Sequence, residues 1–396
     1  MNKPLNLVII TPYYVPFPGG QETHTYFLVK YLKDYNINIT IITTNNPKQK
    51  KYEKEDNFEI YRLKPLFEFN SNPFCIKLFG LLMKIKADIF HTQGYWSFFA
   101  NTAALVSKIR KIPLLYTSHG FQLTLFEKNF ITRLIVYLYL KTIGRFMFKQ
   151  MKLITVNHQQ DKRILQNIGV KTLKIKILPS GLDLQSYEKV NTQITLEYMK
   201  NIRNRYNLKH PIILYIGRLV ERKGLHYLLV VIPKLVEIFP DLSCIIIGNG
   251  PKEKYYKELV SNLNINNNVR FVGYLKPFSK VLVSLIKLAN VQILPSFTES
   301  MPVSVMEGLF FKNPIMITDL HFAKWINYQN KKVYIPIDPI NSDDFSEKII
   351  RLLKNESLRK ELGELGANFI REKFNWRDIA KETIEIYYKL LKRYDL

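Results

Sequence analysis

The chain has 396 residues, 47% of them hydrophobic and 13% aromatic, enough apolar material for one large core and, by length, for two domains. Its two cysteines, Cys75 and Cys244, offer neither a disulfide framework nor a Cys/His metal cluster, which points to a reducing compartment. The formal charge of +25 is unevenly placed: residues 101–180 hold 14 Lys and Arg against 2 acids, a block suited to an anionic surface.

Met1 to Thr11 has one lysine and a short apolar run, from Leu5, that soon meets Pro12 and Pro16. It is too brief for a secretory signal and reads as a first strand. Further strand-like runs follow at Ile37 to Thr43, Ala87 to Thr92, Pro113 to Ser118 and Leu153 to Val156, with helical patterns between most of them. Such alternation predicts a parallel sheet with helices on both faces. Ile131 to Leu140, the longest strongly apolar stretch, falls well short of the roughly 20 residues of a spanning helix, so the chain is expected to be soluble or peripheral.

Leu184 to about Thr195 is polar, lacks strong periodicity and reads as a linker. The alternation then resumes with Pro211 to Ile216, Leu242 to Ile247, Val269 to Val272, Val291 to Leu294, Pro314 to Thr318 and Val333 to Ile335. After Ser342 the pattern is mainly helical, ending with Trp376, Ile379, Thr383, Tyr387 and Leu390 on one face. The expected architecture is two α/β units of similar size, with ligands at the carboxyl ends of strands and a cleft between the halves.

The motif with most chemical content is SFTESMPVSVMEGL, Ser296 to Leu309, directly after the strand-like Val291 to Leu294. Pro302 suits the first turn of a helix, which leaves free N–H groups of its neighbours Met301, Val303 and Ser304 to receive an anion. Glu299 and Glu307 then flank a diphosphate, each able to accept hydrogen bonds from sugar or ribose hydroxyls. By spacing alone the two glutamates equally fit a solvated helix face. A second motif, GRLVERKG at Gly217 to Gly224, puts Arg218 at a strand end and Lys223 near a helix start, two cations placed to neutralise a departing diphosphate. With 58 Lys and Arg in the chain, such a pair also arises by composition.

Weaker signals are glycines after strands: Gly19 and Gly20 in YYVPFPGGQ, and Gly248 with Gly250 in a GNG that lacks the spacing of a dinucleotide fingerprint. Each also fits a tight turn with no ligand. His119, in TSHG at the end of Pro113 to Ser118, is placed to hydrogen-bond a transferring sugar or to serve as an ordinary structural histidine. No Gly-x-Ser-x-Gly elbow and no P-loop lysine pattern occurs, which argues against hydrolase and NTPase activities.

In order along the chain, PGG, SHG, PSGLD at Pro179 to Asp183, GRLVERKG, IIIGNGP, VRFVGYL, the two spaced glutamates and the closing FNWRDIA resemble the family-four retaining glycosyltransferases of the GT-B fold. The resemblance implies two Rossmann-like domains facing across a cleft: residues 1–190 on the acceptor side, 191–375 binding the nucleotide sugar, and 376–396 as a helix crossing back to the first domain. It implies a UDP- or GDP-linked donor, a glycan or lipid-linked acceptor, retention of anomeric configuration, and no cofactor or essential metal. Carried over by position, Arg218 and Lys223 hold the diphosphate, Glu307 the ribose and Glu299 the sugar's distal hydroxyls, while His119 meets the sugar near its reacting end. Gly20 lets a loop close on the donor phosphate, Val303 and Ser304 add N–H donors, and Leu275 and Lys280 fall where similar enzymes contact the base. Gln93, Tyr95 and Trp96, just past Ala87 to Thr92, are candidate acceptor contacts.

The sequence departs from the family pattern at Glu307-Gly308, where many relatives have Glu-Ala, and at Asp319 to Trp325, which replaces a glycine-rich loop. Phe121 to Gln150 mixes Lys128, Arg133, Lys141, Arg145 and Lys149 with apolar residues, which suggests docking on an anionic membrane from the cytoplasmic side. A sheet-covering helix with snorkelling lysines fits the same pattern. A sugar-nucleotide epimerase of the same fold is the rival enzyme. A nucleic-acid binder would explain the charge, yet no recognised module supports one, and no nucleic-acid partner is expected.

Overall fold

A computed structural model describes residues 3–17, 19–69, 72–94, 97–119, 134, 137–297, 299, 302–319, 323 and 326–392. The chain divides into two compact units, Met1–Gly181 with Trp376–Leu396, and Leu182–Asn375.

In the first unit the described elements run β1 (Leu5–Ile10), α1 (Gly20–Leu32), β2 (Ile37–Thr44), β3 (Tyr52–Glu55), β4 (Phe58–Leu63), β5 (Phe67–Phe69), β6 (Asn72–Phe74), α2 (Lys77–Lys84), β7 (Ile89–Gln93), α3 (Phe98–Arg110) and β8 (Leu114–Thr117). A π-helical turn at Leu140–Gly144 leads into α4 (Arg145–Gln150), then β9 (Leu153–Val156), α5 (Gln159–Asn167) and β10 (Ile175–Ile177). Eight strands form one sheet in the order β10-β9-β8-β7-β1-β2-β4-β3, parallel except for the edge hairpin β3/β4. That hairpin and β10 are additions to the expected strands. The edge strand reads Tyr-Glu-Lys-Glu and is largely exposed, a charged border that discourages further pairing.

Every residue of β1 is buried, because a parallel sheet is covered on both faces and its strands become continuous apolar runs. The side chains still alternate. Val8 and Ile10 join a core with Phe99 and Ala103 of α3, whereas Leu7 and Ile9 join one with Leu28 and Leu32 of α1. The same second core takes Trp376, Ile379 and Tyr387 from the chain's last described helix, Trp376–Lys392, so that helix belongs to the first unit.

The second unit begins at Leu182, not at residue 191, because the expected linker is helical. Asp183 accepts from the Ser186 N–H at 3.1 Å and caps α6 (Leu184–Asn191), which buries Tyr187. Next come α7 (Leu196–Arg205), β11 (Ile212–Ile216), α8 (Leu225–Ile238), β12 (Ser243–Ile247), α9 (Glu253–Asn262), β13 (Val269–Gly273), α10 (Lys280–Leu288), β14 (Val291–Leu294), α11 (Val303–Phe310) and β15 (Ile315–Thr318). A small hairpin of β16 (Asn327–Tyr328) and β17 (Lys331–Lys332) precedes β18 (Ile335–Ile337), which lies two residues beyond the expected strand. Helices α12 (Ser342–Lys354) and α13 (Glu356–Lys373) complete the unit, and the helix from Trp376 is α14.

All six strands of the second sheet are parallel, in the order β13-β12-β11-β14-β15-β18. Counted by appearance this is 3-2-1-4-5-6, the doubly wound arrangement whose direction reverses between the first and fourth strands. The reversal falls between β11 and β14. In the first sheet the corresponding reversal falls between β1 and β7.

Candidate functional site

The two motifs richest in chemistry follow the two strands that flank the second unit's reversal point. Chains leaving β11 and β14 turn away from each other there, which opens a crevice at the strand ends. Glycine lets the motifs approach across it. Gly224 has φ +69°, and a Cβ on it would lie 2.0 Å from the Pro295 carbonyl oxygen. The Phe297 N–H and the Ser296 hydroxyl both donate to the Arg222 carbonyl, at 3.0 and 3.2 Å.

This stitching places the Lys223 ammonium on the Glu299 carboxylate as an ion pair, with side chains only 13% and 8% exposed. Arg218 differs. It is exposed at the carboxyl end of β11, and its guanidinium has no partner among the described residues. Its loop is braced from β12: the Leu219 N–H donates to the Asn249 carbonyl at 2.9 Å, and a Cβ on Gly248, at φ +139°, would lie 2.0 Å from the Gly217 carbonyl oxygen. Gly248 therefore supports the Arg218 loop through close backbone packing.

Beyond β14, Pro302 precedes α11 and leaves the N–H groups of Val303 and Ser304 without intrahelical acceptors. Met301 lies outside the described residues. One turn on, Glu307 is buried and accepts a hydrogen bond from the Tyr187 hydroxyl. Burial pushes the Glu307 carboxyl up to about 7, against the opposing pull of the Tyr187 hydrogen bond. Leu275 packs against the core that includes Leu282, and exposed Lys280 opens α10 with its ammonium 6.0 Å from the Tyr198 ring.

In the first unit, Gly19 and Gly20 are exposed at the start of α1, and the space beside Gly20 is open to 4 Å. Behind them Glu22 is buried, which raises its pKa. His119 stands just past β8, partly buried, with Nε2 2.6 Å from the Gln93 side-chain oxygen. Gln93 is fully buried at the end of β7, and its amide nitrogen lies 3.1 Å from His91 Nε2. Both ends of that amide are committed to histidines, so Gln93 supports His119 and does not present itself to an acceptor. Tyr95 and Trp96 lie outside the described residues, as do Lys128 and Arg133.

The described part of the basic region lines a pocket of about 560 Å³ with Lys141, Arg145, Lys149, Lys171 and Lys174 around Phe148. No ion pair to a carboxylate is made by these five among the described residues. Lys174 instead donates to the Lys149 and Met151 carbonyls at 3.3 and 3.2 Å, and desolvation, with Lys152 and Lys171 nearby, lowers its pKa.

Residues 199–369 match the family profile described as Glycosyl transferases group 1, and residues 18–186 match Glycosyltransferase Family 4. The chain belongs to the family-four glycosyltransferases. An uncharacterized glycosyltransferase of Methanocaldococcus jannaschii is 29% identical over 408 residues, covering 98% of this chain and all of the relative. A phosphatidylinositol N-acetylglucosaminyltransferase subunit of Saccharomyces cerevisiae is 21% identical, with 96% of this chain and 82% of the subunit covered. Among solved structures, Anabaena HepE in complex with UDP superposes with a TM-score of 0.74 at 14% identity, covering 97% of this chain and 100% of HepE, and shows the GT-B fold shared by this glycosyltransferase.

Proposed function

We propose that this glycosyltransferase takes its sugar from a nucleoside-diphosphate donor and transfers it with retention of configuration to a lipid-linked or glycan acceptor. The observation that carries the proposal is the gathering of Arg218, Lys223, Glu299 and Glu307 at the reversal point of the second sheet, beside the first N–H groups of α11. Cations and helix N–H groups are there to stabilise the diphosphate as charge develops on the leaving oxygen. Glu307 receives the ribose diol, Glu299 the sugar hydroxyls, and His119 a hydroxyl near the reacting carbon. Arg218 and Lys223 supply the positive charge in place of an essential metal. The leaving phosphate oxygen takes the acceptor's proton on the face where the new bond forms, which preserves the anomeric configuration. Binding of UDP by the structural relative HepE supports a UDP-linked donor, and the phosphatidylinositol acceptor named for the yeast relative supports a lipid one.

The basic pocket, with no acid among its described lining residues, supports docking on an anionic membrane from the cytoplasmic side, at about 1 kcal/mol per well-placed cation. No helix among the described residues is long and apolar enough to cross a membrane. The deciding assay is nucleoside diphosphate release from a panel of sugar nucleotides with a chelator present, with the product anomer read by NMR. Donor affinity and turnover unchanged in both Arg218→Ala and Glu307→Ala would remove the site. Interconversion of donor with no acceptor would mark an epimerase instead.

A further inference from the structure

Four side chains of the first unit form a chain of polar contacts that ends on the helix formed by the last described residues. His119 Nε2 lies 2.6 Å from the Gln93 oxygen, and the Gln93 nitrogen lies 3.1 Å from His91 Nε2. His91 Nδ1 lies 2.7 Å from the Tyr387 hydroxyl. Gln93, His91 and Tyr387 are buried to 1% exposure or less, so water does not substitute for any of these partners.

The chemistry of each group gives the chain a direction. An amide oxygen only accepts, so His119 Nε2 carries a proton and donates it to Gln93. The amide nitrogen only donates, so His91 Nε2 is bare and its proton sits on Nδ1, facing the Tyr387 oxygen. With that tautomer the Thr117 hydroxyl, 2.7 Å from His91 Nε2, donates to the bare nitrogen and accepts from the Thr155 hydroxyl, 2.7 Å away. Both imidazoles are neutral at pH 7, since burial depresses His91 to about 3 and holds His119 well below the ordinary histidine value, with His24 and His91 adding to the effect. The His24 ring, 4.7 Å from that of His119, is neutral through burial as well.

We infer that Gln93 is a positioning residue: held by His91 and Tyr387, it fixes His119 as the Nε2–H tautomer and leaves Nδ1 bare as an acceptor for a hydroxyl of the donor sugar. The role of His119 toward sugar rests on the proposed function. The tautomer does not. A neutral histidine without this restraint exchanges between two tautomers, and the one protonated at Nδ1 presents a donor where an acceptor is needed.

The test is long-range ¹H–¹⁵N correlation on the full chain labelled with ¹⁵N-histidine, with His91 and His119 assigned by single substitution. The expected result is opposite tautomers in one protein, His119 protonated at Nε2 and His91 at Nδ1. Gln93→Met keeps the volume but removes both contacts, and should convert the His119 signals to a mixture. Tyr387→Phe, which alters no group bonded to His119, should shift the same signals part of the way. With a donor that turns over, Gln93→Met should lower kcat about 10- to 100-fold and change the donor KM less than threefold, a split that loss of fold would not produce. His119 protonated at Nδ1 in the wild type, or a tautomer indifferent to both substitutions, overturns the inference. The predicted tautomers in a protein that turns over no sugar nucleotide would instead sink the functional proposal and leave the positioning role standing.

Discussion

Tyr187 donates its hydroxyl proton to the buried carboxylate of Glu307, joining α6 to α11 across 120 residues of chain. The contact engages one carboxylate oxygen, and under the proposed function the other receives the ribose diol. Glu307 titrates near 7 in the folded protein, against an ordinary value of 4.5. Between those two values the native state keeps a proton that the unfolded state has released, so stability declines as pH rises through this window and the loss is complete above pH 7.

Glu307→Gln retains an acceptor for Tyr187 and removes the titration. Relative to wild type, the variant should gain roughly 1–3 kcal/mol of stability between pH 4.5 and 8 while losing nucleotide affinity. Thermal unfolding of both proteins across that range checks the first part. Nucleotide binding to the wild type should also release protons near pH 6.5, because the ribose hydroxyls favour the ionised carboxylate. Calorimetry in buffers of different ionisation heat measures that release.

Arg218 and Lys223 come from one motif but differ in what their loss should do. Arg218 is exposed and has no partner among the described residues, so Arg218→Ala should weaken nucleoside diphosphate binding by about 10- to 100-fold, the worth of one or two charge-assisted hydrogen bonds, with stability unchanged. Lys223→Ala strands Glu299 as a buried charge and should cost about 3 kcal/mol of stability in addition to affinity. A Lys223→Ala, Glu299→Gln double variant should regain most of that stability and none of the affinity. Unfolding midpoints and nucleotide titrations of the three proteins separate the two effects.

The strands that carry this site were legible because a parallel sheet covered on both faces demands unbroken apolar runs, as in β11 and β14. Arg218, Lys223 and Glu299 could be picked out because each follows such a run closely, and Glu307 by its spacing from Glu299. Tyr187 could not, since its partner is distant in sequence and the surrounding Leu184–Asn191 is polar. The available hint was Asp183 three residues before Ser186, a helix start within the supposed linker. The edge strand β3 buries almost nothing, so no apolar period marks it, whereas β4 alternates buried and half-buried residues and carried a readable signal at Phe58 and Ile60. Gln93 was noticed for its place at a strand end, but its two histidine partners lie on β7 itself and just beyond β8, a proximity only the sheet creates.

Trp376 tests the assignment of α14 to the first unit. Its ring is 1% exposed and packs edge-on against His24, with ring centroids 5.0 Å apart. Trp376→Ala should cost about 3–5 kcal/mol. The loss should appear in the first unit's hydrogen-exchange protection, at α1 and β1, with β11 and β12 left near wild type.

Gly308 packs against β14. A Cβ on Gly308 would fall 2.2 Å from the side-chain oxygen of Gln292, whose nitrogen donates to the Ser304 carbonyl at 2.8 Å. Gln292 is fully buried, its oxygen has no hydrogen-bond partner among the described residues, and moving the amide aside would break the bond to Ser304. Gly308→Ala should therefore destabilise the protein by about 1–3 kcal/mol through overpacking. In a Gln292→Ala background the nearer obstruction is gone and only Ile315 Cδ1, 2.8 Å from that Cβ, remains, so the same change should cost markedly less. A double-mutant cycle on thermal unfolding reads this difference. Additive effects would mean that Gln292 is not what holds residue 308 to glycine.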